Sequence, residues 1–352
     1  MESGTVEQTL PGLGVRVPDA TEPVSSSHVI GMAPQKRLTL VAGRSHPELA
    51  ARIAEQLGCE LGKVTLKTFA NGETYCRYED SIRGADVFIV QTCLPPVDQR
   101  LMELLIMVNA AKLASAKRIT AVIPWYFYGR QDKKSRPREP ITARLVADLL
   151  QTAGVDRVLT MDLHAGQVQG FFEIPVDHMT AVTMFAQYVR DLNLGAELAA
   201  VSPDTGRAKL AGKFAEMIGG DLVILNKVRP AHNEATVKTV IGDVEGKVAV
   251  MTDDVIDTAG TLVTGAAALK EAGALKVYAC ATHGLFNGPA LERIADSEID
   301  KLVVTDTVPV DPLTKPDNVE VLSVAGILAE TIRNVFSDDS VSAIFAGENQ
   351  LF

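Results

Sequence analysis

A succession of short apolar runs, most of them separated by a stretch of helical periodicity, constrains this chain more than any other feature. The runs lie at 37–43, 64–69, 86–92, 118–124, 158–162, 198–202, 222–225, 247–251, 276–280 and 302–305. Helical patterns occupy about 47–57, 98–116, 141–153, 180–191, 206–218, 262–272 and 287–296. Strands apolar along their whole length are buried on both faces, and the alternating helices supply the cover. The expectation is an α/β chain with mainly parallel sheets flanked by helices. Two similar halves, 36–180 and 181–335, are expected to meet near 165–185. Residues 1–35 carry Gly, Pro, Ser and acids without sustained periodicity and are read as a disordered leader, with 336–352 as a tail.

An open α/β sheet binds ligands at the carboxyl ends of its strands, so the polar residues that follow each run are where function is sought. After the run at 247–251 come Asp253, Asp254, Asp257, Thr258, Ala259, Gly260 and Thr261, and then apolar residues at helical spacing from Leu262. The strand is expected to end there, with Gly260 freeing the backbone for a tight turn and 258–261 at a helix N-terminus. Such a terminus offers unpaired N–H groups to an anion. Carboxylates beside it repel a phosphate but accept hydrogen bonds from sugar hydroxyls, or hold a divalent cation. Three acids and two threonines around one glycine exceed what capping needs, and a sugar phosphate is the expected ligand.

Five further motifs stand at or near run ends. Phe69, Asn71 and Glu73 surround an Asn-Gly pair that suits either a purine edge or an ordinary hairpin turn, and the residue pattern alone favours the turn. Trp125, Tyr126, Phe127 and Tyr128 precede Arg130, Gln131, Lys133, Lys134, Arg136 and Arg138, the most basic stretch of the chain. That is either a solvated charge run or, as the aromatics favour, a stacking surface with arginines for the phosphates of a nucleotide. His164, two residues after Asp162, reads as a structural histidine or as a triphosphate donor and metal ligand. Asp204, ahead of Thr205 and Gly206, reads as an N-cap and also as a carboxylate for Mg²⁺ beside a second anion cradle. Lys227 and Arg229 read as strand-edge alternation, or as cations on a mobile loop that closes over transferring phosphates.

Composition excludes several partners. With 34 basic against 44 acidic residues the net charge is −10, which argues against nucleic acid and acidic membranes. The four cysteines, Cys59, Cys76, Cys93 and Cys280, lack metal-type spacing and read as reduced thiols of a cytoplasmic protein. No apolar run approaches the roughly 20 residues of a membrane helix.

Taken in order from Arg37 to Phe345, these motifs resemble those of the ribose-phosphate pyrophosphokinase family. The resemblance implies two phosphoribosyltransferase-like domains. It also implies transfer of pyrophosphoryl from ATP to the anomeric hydroxyl of ribose 5-phosphate, with Mg²⁺ required, to give phosphoribosyl pyrophosphate and AMP. By the same resemblance Phe69, Asn71 and Glu73 match an adenine-binding loop that reaches into a neighbouring subunit's site. Arg130 and Gln131 match the ATP-binding segment, and His164 and Asp204 the Mg²⁺ and phosphate region. Lys227 and Arg229 match the catalytic flexible loop, and Asp253, Asp254, Asp257, Thr258, Ala259, Gly260 and Thr261 the ribose 5-phosphate loop. Arg136 and Arg138 match a regulatory loop for phosphate and ADP, and the implied assembly is a homo-oligomer, a hexamer built from dimers. The chain departs from the family pattern at Arg207, which follows a single Gly206 where two glycines are common, and at Leu210, where an arginine is common. Phe127 and Pro137 replace a small residue and a serine.

Two alternatives are a phosphoribosyltransferase, which would share only the 253–261 loop and be shorter, and a non-catalytic regulatory partner of the synthetase. The presence of Lys227, Arg229 and the complete Asp-Asp-x-x-Asp-Thr loop argues against the second.

Overall fold

Parallel pairing of the apolar runs builds the framework, and helices with one apolar stripe cover it. The computed structural model describes residues 36–231 and 234–342, the side chains of 227–231 and 234–238 excepted. The expected leader and most of the expected tail lie outside the described residues. The first half runs Leu38–Ala42 (β1), Pro47–Leu57 (α1), Val64–Thr68 (β2), Thr74–Tyr78 (β3), Asp86–Val90 (β4), Val97–Leu113 (α2), Arg118–Ile123 (β5), Thr142–Ala153 (α3), Arg157–Met161 (β6) and Val176–Met179 (β7). The second runs Val182–Asp191 (α4), Leu198–Ser202 (β8), Ala208–Ile218 (α5), Asp221–Ala231 (β9), Glu234–Ile241 (β10), Val248–Ile256 (β11), Gly260–Glu271 (α6), Lys276–Gly284 (β12), Ala290–Ala295 (α7), Lys301–Thr305 (β13), Val319–Leu322 (β14) and Ala325–Ser337 (α8).

One sheet has the order β1-β4-β5-β6-β7 and is parallel throughout. The other has the order β10-β9-β8-β11-β12-β13-β14 and is parallel except where β10 returns against β9. The run at 64–69 is not in either large sheet. It pairs antiparallel with β3 as a separate hairpin, whose turn is closed by the Gly72 N–H donating to the Phe69 carbonyl, with Gly72 at φ +92°. The strands without an expected counterpart, β3, β7, β10 and β14, mix polar with apolar residues, as half-covered strands do.

Helix α1 buries Leu49, Ala50, Ile53 and Ala54 along one stripe, and α8 buries Leu328, Ala329, Ile332 and Val335 along another. These two helices pack together, and their cluster takes in Leu40 and Phe88 of the first sheet and Val250 and Val303 of the second. One apolar core is therefore shared by both halves.

Polar groups join the two sheets at the carboxyl ends of their strands. Thr92 Oγ1 donates to the Thr307 carbonyl (2.8 Å), His46 Nε2 to the Asp306 carbonyl (2.9 Å), Thr282 Oγ1 to Asp162 Oδ2 (2.6 Å) and His283 Nε2 to the Met161 carbonyl (3.1 Å). All of these residues are buried. Satisfied buried polar groups of this kind fix geometry, because a shift strands them without water. The carboxyl-terminal strand edges, where open α/β sheets bind ligands, thus face one another. No described helix is long and apolar enough to cross a membrane.

Candidate active site

Strand β11 runs further than its apolar segment, so Asp253 and Asp254 belong to the strand itself, with Asp253 paired to Ala281 of β12. The turn that follows differs from expectation. Ala259, at φ +59°, takes the left-handed conformation, while Gly260 is the first residue of α6. A Cβ on Gly260 would lie 3.6 Å from Arg293 Nη1, an ordinary contact, so neither the turn nor close packing demands glycine there. What its bare backbone leaves is room for a ligand to approach the helix N-terminus. The Val263 N–H makes the first intrahelical bond, to the Ala259 carbonyl (3.0 Å), and the N–H groups of 260–262 have no partner within the helix. Arg293 Nη1 donates to the Thr258 carbonyl (2.9 Å), and Asn287 donates from its backbone N–H and its Nδ2 to the Asp257 carbonyl and Oδ1 (both 2.8 Å), pinning the turn.

The three acids gather nitrogen donors from three other parts of the chain. His164, just past the end of β6, donates from Nδ1 to Asp254 Oδ2 (2.7 Å). Arg130 Nη1 reaches Asp257 Oδ2 (2.5 Å). Arg207 sits between the adjacent pair, its Nε 3.2 Å from Asp253 Oδ1 and its Nη2 2.6 Å from Asp254 Oδ1. Burial works against ionisation of Asp254, but the His164 hydrogen bond and the Arg207 charge overcome it and hold its carboxyl below the usual range. Burial and the neighbouring Asp254 charge push Asp253 up. Asp257 is held low against its burial by Asn287 and Arg130. Arg130, His164, Asp253, Asp254 and Asp257, all expected site residues, thus meet at one strand edge beside the exposed Thr258 and Thr261.

Asp204 caps the short helical turn after β8, accepting from the Gly206 N–H (2.9 Å) and the Arg207 N–H (3.2 Å) through Oδ1, so the capping expectation holds. Phe69, Asn71 and Glu73 are exposed at the β2–β3 turn, where Asn71 Oδ1 accepts from the Glu73 N–H (3.2 Å) and Phe69 meets Tyr75 edge-on. Gln131 accepts from Thr142 Oγ1 (2.5 Å) at the start of α3. Arg136 and Arg138 lie on an exposed loop closed by Glu139, whose Oε2 accepts from the Ser135 and Arg136 N–H groups (2.8 Å each).

Three of the four aromatics expected to form a stacking surface are buried instead, and only Tyr128 is half-exposed. Trp125, Tyr126 and Phe127 are 5%, 1% and 0% exposed, and Trp125 packs against the buried His283 with centroids 4.4 Å apart and the rings tilted by 43°. Their apolar area is worth more in the core than against a base. Lys227 and Arg229 fall on β9, as the strand-edge reading has it and not on the loop of the other reading; Lys227 pairs with Val237 of β10, and the side chains of both cations lie outside the described residues. Arg207, Asn287 and Arg293 had not been anticipated. Only Arg207 carried a sequence signal, as a cation directly after a turn in an acidic chain.

Among the described residues no three His, Cys, Asp or Glu side chains gather in a way that could hold a metal ion. Asp204 and His164 are separately engaged, each with an exposed side to spare. That donor set does not fit a metal caged by protein. It fits an Mg²⁺ ion that keeps most of its water and is carried in on substrate phosphates, needing one or two protein groups.

Two family models match the chain: the N-terminal domain of ribose phosphate pyrophosphokinase over residues 38–154, and the phosphoribosyl synthetase-associated domain over 223–346. A ribose-phosphate pyrophosphokinase of Caldanaerobacter subterraneus subsp. tengcongensis is 50% identical over 308 residues, covering 88% of this chain and 98% of the relative. One from Chlorobaculum tepidum is 49% identical over 312 residues, 89% of this chain and 96% of the relative. The crystal structure of phosphoribosylpyrophosphate synthetase from Mycobacterium smegmatis superposes with a TM-score of 0.82 at 46% identity, covering 86% of this chain and all of that one. Full-length likeness at this level favours the pyrophosphokinase over both alternatives, and the chain belongs to the ribose-phosphate pyrophosphokinase family.

Proposed function

We propose that the chain binds ribose 5-phosphate on the turn between β11 and α6 and ATP on the first-sheet side of the same edge, and joins them by pyrophosphoryl transfer. The observation that carries this reading is the row Asp253, Asp254 and Asp257, held by Arg207, His164 and Arg130 beside an open helix N-terminus. The N–H groups of 260–262 and the hydroxyls of Thr258 and Thr261 take the 5-phosphate, and the carboxylates accept hydrogen bonds from the ribose hydroxyls. Arg130, Gln131 and His164 hold the triphosphate, while the tip residues Phe69, Asn71 and Glu73 bind adenine, in a second copy's site. The anomeric oxygen forms a bond to the β-phosphorus, the bond from that phosphorus to the α,β-bridging oxygen breaks, AMP leaves with that oxygen, and the hydroxyl proton passes to solvent. His164 and Asp204 would hold Mg²⁺ bound to the phosphates, and the ion would supply charge neutralisation there. Lys227 and Arg229 act as the cations that meet charge developing at the transferred group, since such a transfer needs positioning and electrostatics more than a strong base.

The same reading assigns the ATP side to residues 36–180 and the ribose side to 181–335, a hexamer built from dimers as the assembly, phosphate and ADP control to Arg136 and Arg138, and the cytoplasm as the location. Purified protein given ATP, ribose 5-phosphate and Mg²⁺ is expected to form AMP and phosphoribosyl pyrophosphate in equal amounts, and to stop on chelation. Absence of AMP with all three present would overturn the reading.

A further inference from the structure

Arg207 stands where electrostatics disfavour it. It is the N-cap of α5, and a cation there meets the positive end of the helix dipole. Its backbone is nevertheless fixed: its N–H is held by Asp204 Oδ1, and Asp204 in turn is tied to the strand end by Ser202 Oγ donating to the Asp204 carbonyl (2.6 Å). From that anchor the guanidinium extends to two carboxylates on a different strand, and its side chain is 18% exposed.

The two acids use this cation differently. Asp254, with a side chain 3% exposed, commits both oxygens to the frame, Oδ1 to Arg207 and Oδ2 to His164. Asp253 is 23% exposed, and it meets Arg207 and the Asp254 N–H through Oδ1, which leaves Oδ2 as the oxygen it can offer to a sugar hydroxyl. Without the guanidinium, two neighbouring like charges would repel and turn apart. A lysine would not replace it, because an ammonium is a point charge whereas the planar fork of arginine sets the direction of two carboxylates at once.

We propose that Arg207 is a positioning residue for ribose 5-phosphate, holding Asp253 against the fixed Asp254 and so aligning Asp253 Oδ2 for a ribose hydroxyl without touching the sugar itself. The proposal rests on the assignment of ribose 5-phosphate to the β11–α6 turn.

The test is steady-state kinetics of Arg207→Gln, Arg207→Lys, Asp253→Asn and the Arg207→Gln/Asp253→Asn double variant beside the wild type, each checked by its melting curve. Arg207→Gln is expected to raise the KM for ribose 5-phosphate about tenfold or more, with the KM for ATP within about twofold and kcat within about threefold. Arg207→Lys is expected to fall between Gln and the wild type. In the Asp253→Asn background the effect of Arg207→Gln is expected to shrink, because a residue acting through Asp253 has less left to act on. A ribose 5-phosphate KM unchanged by Arg207→Gln, an equal rise for both substrates, or strictly additive effects in the double variant would each overturn it. Should Arg207→Gln fail to fold, Arg207→Lys with a wild-type KM would do so too. A wild type without pyrophosphokinase activity would instead sink the functional reading on which the proposal stands.

Discussion

At the scale of single residues, charge pairing over long sequence separation decides what each motif does. Asp254 has its two oxygens on His164 and Arg207, so its removal unbalances a buried cluster as well as taking away an acceptor. Asp254→Ala is expected to weaken ribose 5-phosphate binding by roughly 2–3 kcal/mol, about a hundredfold in Kd, and to leave ATP binding largely intact. Calorimetry with each ligand alone reads both; equal losses for the two ligands would argue that the residue only maintains the fold. Lys227→Ala is expected to lower kcat far more than it raises either KM, since a cation that meets charge only in the transition state contributes little to ground-state binding. An unchanged kcat would remove Lys227 from the mechanism.

At the scale of elements, the β2–β3 hairpin stands apart from both large sheets, and its support comes from outside it. Arg44, after β1, donates from Nη1 to Thr68 Oγ1 at the turn end of the hairpin (2.9 Å) and pairs through its backbone N–H and Nε with Glu103 of α2, which is fully buried. Gln91 Nε2 also donates to Glu103 (2.9 Å). A buried carboxylate with this many partners cannot be removed without stranding them. Glu103→Ala is expected to cost about 3–5 kcal/mol, measured by denaturant unfolding, whereas a loss below about 1 kcal/mol would mean that water replaces the carboxylate. The turn at Asn71-Gly72 was legible as a hairpin turn, but a short strand reads alike whichever sheet it joins, so its separation from the large sheet was not.

At the scale of the whole molecule, burial makes three histidines, His46, His178 and His283, harder to protonate in the folded chain. His178 Nε2 accepts from the Leu163 N–H (2.8 Å), which requires that nitrogen to be unprotonated, and burial lowers its pKa from 6.5 to about 4. Burial also lowers His46 and His283. An unfolded chain therefore takes up protons that the folded one refuses, so this stability is fully present above pH 6.5 and is lost progressively as pH falls toward 4. The melting temperature is expected to drop across that window, and His178→Asn, which keeps an acceptor that does not titrate, is expected to flatten part of the drop. An identical pH profile for that variant would show that His178 does not contribute. Of the architecture, the α/β alternation and the strand-to-helix turn at 253–261 were legible in the sequence, because hydrophobic period and turn chemistry are local properties that each segment carries by itself. What only the tertiary structure decided is which distant groups meet: Arg130 with Asp257, His164 with Asp254, Arg207 between two acids, and Trp125 buried on His283 where a binding face was expected. Those pairings depend on where separate strands end in space, and no periodicity along the chain encodes the distance between two strand ends.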